Sequence, residues 1–332
     1  MSDLAQTAPT ARTFRWQDFF ARHGTLLVLL ALLAFNIIAT PNFVSVRTLN
    51  VNLTQVATIV IVAVGMTMVI ATGGIDLSVG SLMAIAGALA PLIFLGKIVH
   101  FGNIYVGVGV AMVVSVFVAG LFGWFNGWLI THFKIQPIIA TLVLFIAGRG
   151  IAQVVTNGNL QAFKVPEFQF IGLDRWFGIP VQVIVMVALV AAATWTMRST
   201  LFGRQILAVG GNERAARLCG MPVSSTKRWV YFISGICAGI AGLVVIAINS
   251  SSDANLVGLG MELDAIAAVA VGGTSLSGGR ASVLGTLMGA LIIQLVRFTL
   301  LANGIPDAAA LLVKAAIIVA AVWLQRQNGA RA

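Results

Sequence analysis

Ten apolar runs limit what this chain can become: residues 25–39, 54–72, 79–96, 104–124, 136–155, 180–197, 229–248, 262–276, 282–301 and 308–324. Most approach the ~20 residues that an α-helix needs to cross about 30 Å of hydrocarbon. With 59% hydrophobic and 9% charged residues and a mean hydropathy of +1.00, the chain has more apolar surface than a water-soluble core can bury. In lipid every backbone amide needs an internal partner, so helices are the expected element. The expectation is an all-α integral membrane protein, a polytopic bundle of about ten transmembrane helices. The 262–276 run is short, glycine-interrupted and opened by Glu262 and Asp264, as in a half-helix or re-entrant segment.

Charge orients the bundle. Ten crossings put on one side Arg12, Arg15, Arg22, Lys134, Arg198, Arg204, Arg214, Arg217, Lys227, Arg228, Arg280, Arg326 and Arg331, against Arg47, Lys97, Lys164 and Arg175 on the other. The positive-inside rule then makes both termini cytoplasmic. The net charge of +10 is read as this asymmetry and not as a nucleic-acid surface. Residues 1–24 are expected to form a cytoplasmic tail and an interfacial helix, with Phe14, Trp16, Phe19 and Phe20 among Arg15, Asp18 and Arg22. Residues 25–325 form the membrane domain, and 326–332 a cytoplasmic tail. The first run lacks a clear small-x-small cleavage site, so it reads as a retained span.

The longest polar interruption, 198–228, contains a short helix with both ends marked. Asn212 is an N-cap candidate, Glu213 suits the positive end of the helix dipole and Arg217 the negative end. Gly220 fits a left-handed position beyond the last turn, and Pro222 stops continuation. About seven residues of helix are marginal alone, since isolated helices need about 12. It is either a connector packed on its own protein or a docking helix for a cytoplasmic partner, with Gly211, Ala215 and Ala216 on the same segment.

Two stretches echo each other: Gly73-Gly74-Ile75-Asp76-Leu77-Ser78-Val79-Gly80 and Gly272-Gly273-Thr274-Ser275-Leu276-Ser277-Gly278-Gly279. Each follows an apolar run and precedes a small-residue helix. Such glycine, serine and aspartate clusters interrupt membrane helices, and interrupted helices in corresponding halves point to a transport path. Close packing of small residues is the competing account. Asp76, Arg149 and Lys314 lie within apolar surroundings, where charge costs about 2.5–3.5 kcal/mol and requires pairing or a task. Asp76 alone could bind a cation in an ion-coupled carrier. On the outer side Asp253, Asn255, Glu262 and Asp264 make 250–264 acidic, as a solvated loop, a docking surface for an external partner or a sugar contact at the mouth.

No phosphate-cradling or hydrolase motif occurs, and His23, His100 and His132 lack metal-ligand spacing. Cys219 and Cys237 are too few for a disulfide framework. No catalytic residue, metal site or cofactor is expected.

These motifs resemble the inner-membrane permease subunits of bacterial ATP-binding-cassette importers for monosaccharides, the ribose, xylose, arabinose and galactofuranose group. The resemblance covers residues 26–325. It rests on Gly73–Gly80, on Gly210-Gly211-Asn212-Glu213 with Ala215-Ala216 and Gly220, and on Glu262-Leu263-Asp264-Ala265-Ile266-Ala267-Ala268-Val269 leading into Gly272-Gly273-Thr274-Ser275-Leu276. Gln136-Pro137-Ile138-Ile139-Ala140-Thr141-Leu142, Ala147-Gly148-Arg149-Gly150-Ile151-Ala152-Gln153 and Asp253-Ala254-Asn255 look closer to the galactofuranose members. The resemblance implies a cytoplasmic ATPase with tandem nucleotide-binding modules, a periplasmic sugar-binding protein and a second permease, either a copy or a paralogue. It also implies that the 212–220 segment is the coupling helix, seated on the ATPase. An ion-coupled sugar carrier is the alternative.

Overall fold

The computed structural model describes residues 16–306, 308–317 and 319; the expected C-terminal tail and residues 1–15 of the expected N-terminal segment lie outside them, while 16–24 are helical and continuous with the first apolar run. The chain is built of helices: α1 (Trp16–Ala39), α2 (Val46–Ala71), α3 (Val79–Phe94), α4 (Ile104–His132) and α5 (Pro137–Val155). A short α6 (Pro166–Leu173) precedes α7 (Val181–Ser199), α8 (Leu201–Gly211), α9 (Glu213–Leu218) and α10 (Val223–Asn249). Then come α11 (Met261–Val271), α12 (Val283–Ala302) and α13 (Ala308–Ile317). Four two-residue strands pair as antiparallel ribbons. β1 (Gln161–Ala162) lies on β4 (Ser251–Ser252), and β2 (Arg175–Trp176) on β3 (Ile179–Pro180).

Among the described residues six helices are long and apolar enough to cross a membrane: α2, α4, α5, α7, α10 and α12. Of the other expected runs, 25–39 lies within the 24-residue α1, and the described part of 308–324 is helical over Ala308–Ile317. α3 has 16 residues and α11 has 11, each adjoining irregular backbone. Polar residues hid the true helix starts. α2 begins at Val46, capped by Ser45, whose Oγ accepts from Thr48 N at 3.1 Å, so Asn50 and Asn52 belong to a helix that hydropathy alone starts at 54. The 198–228 segment is helical over most of its length, since α8 fills 201–211 and α10 begins at Val223. Both helices extend residues that hydropathy assigns to a loop.

From Val56 onward α2 is buried on every side, and α3 is buried almost throughout. Around them α4, α5 and α7 expose apolar faces such as Val113, Phe117, Val143 and Val187, the pattern of a lipid-facing ring. α4 and α10 meet along small residues. A Cβ added at Gly123 would lie 2.2 Å from the Tyr231 carbonyl oxygen, and one at Gly235 would lie 2.4 Å from that of Ala119. With no side chain at these points the two backbones close on each other, which is how membrane helices gain dispersion energy where no hydrophobic difference drives them together. At the end opposite α9, Phe94, Phe163 and Phe168 form a ring cluster, with centroids 4.9–5.6 Å apart, beneath the β1–β4 ribbon.

Gly123→Ala should therefore overpack the α4–α10 seam and destabilise the bundle by about 1–3 kcal/mol. Gly109→Ala, on an exposed position of the same helix with nothing within 4 Å, should be neutral. Comparing the two variants by thermal unfolding in detergent checks this.

Candidate functional site

α9 is capped as its sequence requires. Asn212 adopts φ −158° and ψ 101°, and its Oδ1 accepts from Ala215 N at 3.0 Å. At the other end Gly220 has φ +75°, with Gly220 N donating to Arg217 O and Met221 N to Ala216 O. This is the left-handed termination that glycine makes at low steric cost. The Glu213 carboxylate accepts from Arg217 at 3.1 Å and from Lys227 of α10 at 2.6 Å. Partial burial opposes the charge on Glu213, but the bonds from Lys227 and Arg217 outweigh it and hold the carboxyl below its usual range. Ala216 is buried against Val209, Val223 and Met221, so one face of α9 packs on α8 and α10. The other face is open: Leu218 is 89% exposed, and Arg214 and Cys219 are exposed beside it. One face of the helix is thus packed as a connector's would be, and the opposite face is exposed.

The junction before α9 connects it to the bundle. A Cβ at Gly210 would lie 1.8 Å from the Ala71 carbonyl oxygen and 2.6 Å from Gly279 N. Gly279 N itself donates to Ala71 O at 3.0 Å. Gly278, at φ +88°, sits against Gly210 O and Gly73 N, the contacts that an added Cβ would meet at 2.8 and 2.9 Å. The two glycine-rich stretches therefore touch each other where α2 and α11 both end, and α8 closes over them. Each stretch is entered by a helix running toward this end and left by one running away, so the two copies are parallel.

Within the first stretch, Asp76 is fully buried. Its Oδ1 accepts from Ser78 Oγ at 2.6 Å and Ser78 N at 3.0 Å, and its Oδ2 from Ser234 Oγ of α10 at 2.8 Å. Ser78 Oγ in turn accepts from Asn126 Nδ2 of α4 at 2.9 Å. Four donors and acceptors from the break, α4 and α10 thus satisfy backbone and carboxylate that lipid cannot. Gly74 packs under Tyr231, whose hydroxyl donates to Ile75 O at 3.3 Å. In the second stretch Ser275 and Ser277 pair through their hydroxyls at 2.9 Å, and Gly273 turns the chain at φ +81°, while Gly272 packs on Gly285 of α12.

The acidic candidates separate. Asp253 and Asn255 stay together in the loop before α11, where Asp253 Oδ1 accepts from Asn255 N and Nδ2, and Gln153 Nε2 donates to Asn255 Oδ1 at 2.7 Å. Glu262 and Asp264 lie on α11 itself. Glu262 is buried, with its Oε2 where a Cβ at Gly80 would meet it at 2.6 Å, and Asp264 pairs with Lys314 of α13. Arg149 of α5 reaches the same region and donates to the carbonyls of Ala254 at 2.9 Å and Val257 at 2.6 Å. It holds the descending loop 253–260 against the first turn of α3.

Asn126, Ser234 and Gly210 complete this arrangement but were not singled out by sequence reasoning. The first two are ordinary polar residues in long helices, and Gly210 is one of two adjacent glycines with no local sign of which is confined. That pair offers a test. Gly210→Ala should force α8 away from Ala71 and Gly279, lowering the unfolding temperature by several degrees, whereas Gly211→Ala, with nothing within 4 Å, should leave it unchanged. Equal behaviour of the two variants would contradict the junction geometry.

Residues 49–322 match the family described as branched-chain amino acid transport system / permease component. The galactofuranose transporter permease protein of Escherichia coli (strain K12) is 37% identical, over 98% of this chain and 94% of its own length. The ribose import permease protein of the same strain is 39% identical, over 96% and 98%. The fructose import permease protein of Bifidobacterium longum (strain NCC 2705) is 38% identical, over 76% and 70%. No solved structure matches. The near end-to-end alignments and the family match, which takes in both glycine-rich stretches and the capped α9, mean that the chain belongs to this family of transport-system permeases.

Proposed function

We propose that this chain is the permease subunit of an ATP-driven importer that passes a neutral monosaccharide across the bacterial inner membrane. The observation that carries the reading is α9: a capped helix with one packed face and one open face, joined through Gly210 to the ends of α2 and α11. The relatives named for galactofuranose, ribose and fructose import support the sugar class. The ten apolar helices form ten crossings, two of them composite, with both termini and α9 in the cytoplasm. The basic residues of 198–228 favour that orientation.

The partners in this reading are a cytoplasmic ATPase with tandem nucleotide-binding modules, a periplasmic sugar-binding protein around Asp253 and Asn255, and a second permease. The chain itself hydrolyses nothing. Gly211, Asn212, Glu213, Ala215, Ala216, Arg217 and Gly220 build the coupling helix. When the ATPase halves close, they push on the open face of α9. The packed face transmits the push through Ala216 and Gly210 to the interlocked stretches 73–80 and 272–279. Those stretches have few helical hydrogen bonds of their own, so they bend before the helices do and act as the flexible elements of the path. Asp76, with both oxygens occupied by Ser78 and Ser234, does not favour an ion-coupled carrier.

Glu213→Lys puts a cation where Lys227 and Arg217 already converge, and Ala216→Pro places a ring at α9's buried contact. Both should leave membrane insertion intact while ATP-dependent sugar uptake falls tenfold or more and the ATPase no longer co-purifies. Normal uptake with normal co-purification in both variants would defeat the coupling assignment.

A further inference from the structure

The interlocked stretches are closed in this chain, so polar groups able to meet a passing solute have to be sought elsewhere at membrane depth. α2 presents Asn52 and Gln55, three residues apart on one helix face. From α12, Gln294 Nε2 donates to Gln55 Oε1 at 2.5 Å and to Asn52 Oδ1 at 3.4 Å. Gln294 is 2% exposed and its Oε1 has no hydrogen-bond partner among the described residues. It is the twelfth residue of α12, about 16 Å from the helix start and so near mid-membrane. Asn52 and Gln294 border a cavity of about 510 Å³ between α1, α2 and α12, with walls including Leu29, Leu33, Phe43 and Leu49. Among the described residues no charged side chain lines it.

We propose that Asn52 and Gln294, with Gln55 holding the Gln294 amide from outside the cavity, form a contact site for the hydroxyl groups of a neutral monosaccharide crossing the membrane. The proposal rests on the importer reading above. Carboxamides offer donors and an acceptor without charge, which suits a solute whose hydroxyls do both and carry none. Apolar walls with a few convergent polar groups are the usual make-up of a small-ligand pocket, and about 510 Å³ is within the usual size range. A sugar ring fits such walls through its C–H faces. The rival account is that the amides only join α2 to α12, as polar residues do between membrane helices. That account leaves the buried Gln294 acceptor without a partner among the described residues. A turn of the Gln294 amide toward the cavity that it borders would bring this acceptor to a sugar hydroxyl.

The test uses the complete importer, with its ATPase and binding protein, in liposomes. Uptake of labelled ribose, galactofuranose and fructose is measured first. For the sugar that is carried, uptake is then compared with that of its single-deoxy analogues. Gln55→Leu changes an exposed position and Gln294→Met keeps length while removing the amide. Both should lower uptake tenfold or more with ATPase co-purification unchanged, and the preference for the parent sugar over the analogue lacking the contacted hydroxyl should fall toward one. Leu49→Trp, which fills the cavity from a half-exposed position, should also block uptake. Loss of uptake with the deoxy preference retained would make the amides interhelical glue and overturn the site. Undiminished uptake in Leu49→Trp would assign the cavity to lipid and overturn it as well. A wild-type complex that carries no neutral monosaccharide, with xylose and arabinose tried beside these three, would fail the importer reading itself, a result distinct from either.

Discussion

The contact on which the arrangement depends is between backbones. The Ala71 carbonyl at the end of α2 accepts from Gly279 N, and Gly210 lies against both with no room for a side chain. Two interrupted helices and the segment carrying α9 therefore meet at atoms whose displacement breaks the Gly279 N–Ala71 O hydrogen bond. A side-chain contact at this point would have rotamers to absorb a displacement. A backbone contact passes it on, so the α9 segment is tied stiffly to the ends of α2 and α11.

Irregular backbone inside a bilayer is tolerated only where protein satisfies it, and this chain does so twice by different means. Around 73–80 the donors and acceptors are side chains: Asp76, Ser78, Ser234 and Asn126 form a connected set, and Tyr231 covers Ile75 O. Before α11 a single guanidinium serves, as Arg149 takes the carbonyls of Ala254 and Val257. A planar cation with five N–H groups can hold two carbonyls from one loop in a way that an ammonium cannot. The first turn of α3 and the start of α11 are brought together there, Gly80 against Gly258 and Glu262. Charges that look misplaced in the sequence are thus the fastenings of two segments where helix gives way to irregular backbone.

Much of α9 was legible because its determinants are local. Asn212, Glu213, Arg217 and Gly220 act within one or two turns of each other, so residue order suffices to read cap, charge and stop. The limits of α2 were misread for a related reason: Asn50 and Asn52 lower hydropathy at its start, while the cap at Ser45 lies further back. That same misreading hid the amide pair facing Gln294, since Asn52 fell outside the expected span. The separation of Glu262 and Asp264 from Asp253 and Asn255 was likewise out of reach, because only the descent of 253–260 into the bundle divides them.

By itself the sequence determined that the chain is embedded in a membrane, where the apolar cores of its long helices lie and how α9 is capped, since transfer energy and local hydrogen bonding depend on nearby residues alone. Only the tertiary structure decided which helix is central, which of two adjacent glycines is confined and which donors reach Asp76. The reason is physical. In lipid the outer face of a helix is as apolar as its packed face, so hydropathy does not distinguish them, and the choice falls to close packing and hydrogen bonds between residues far apart in the chain.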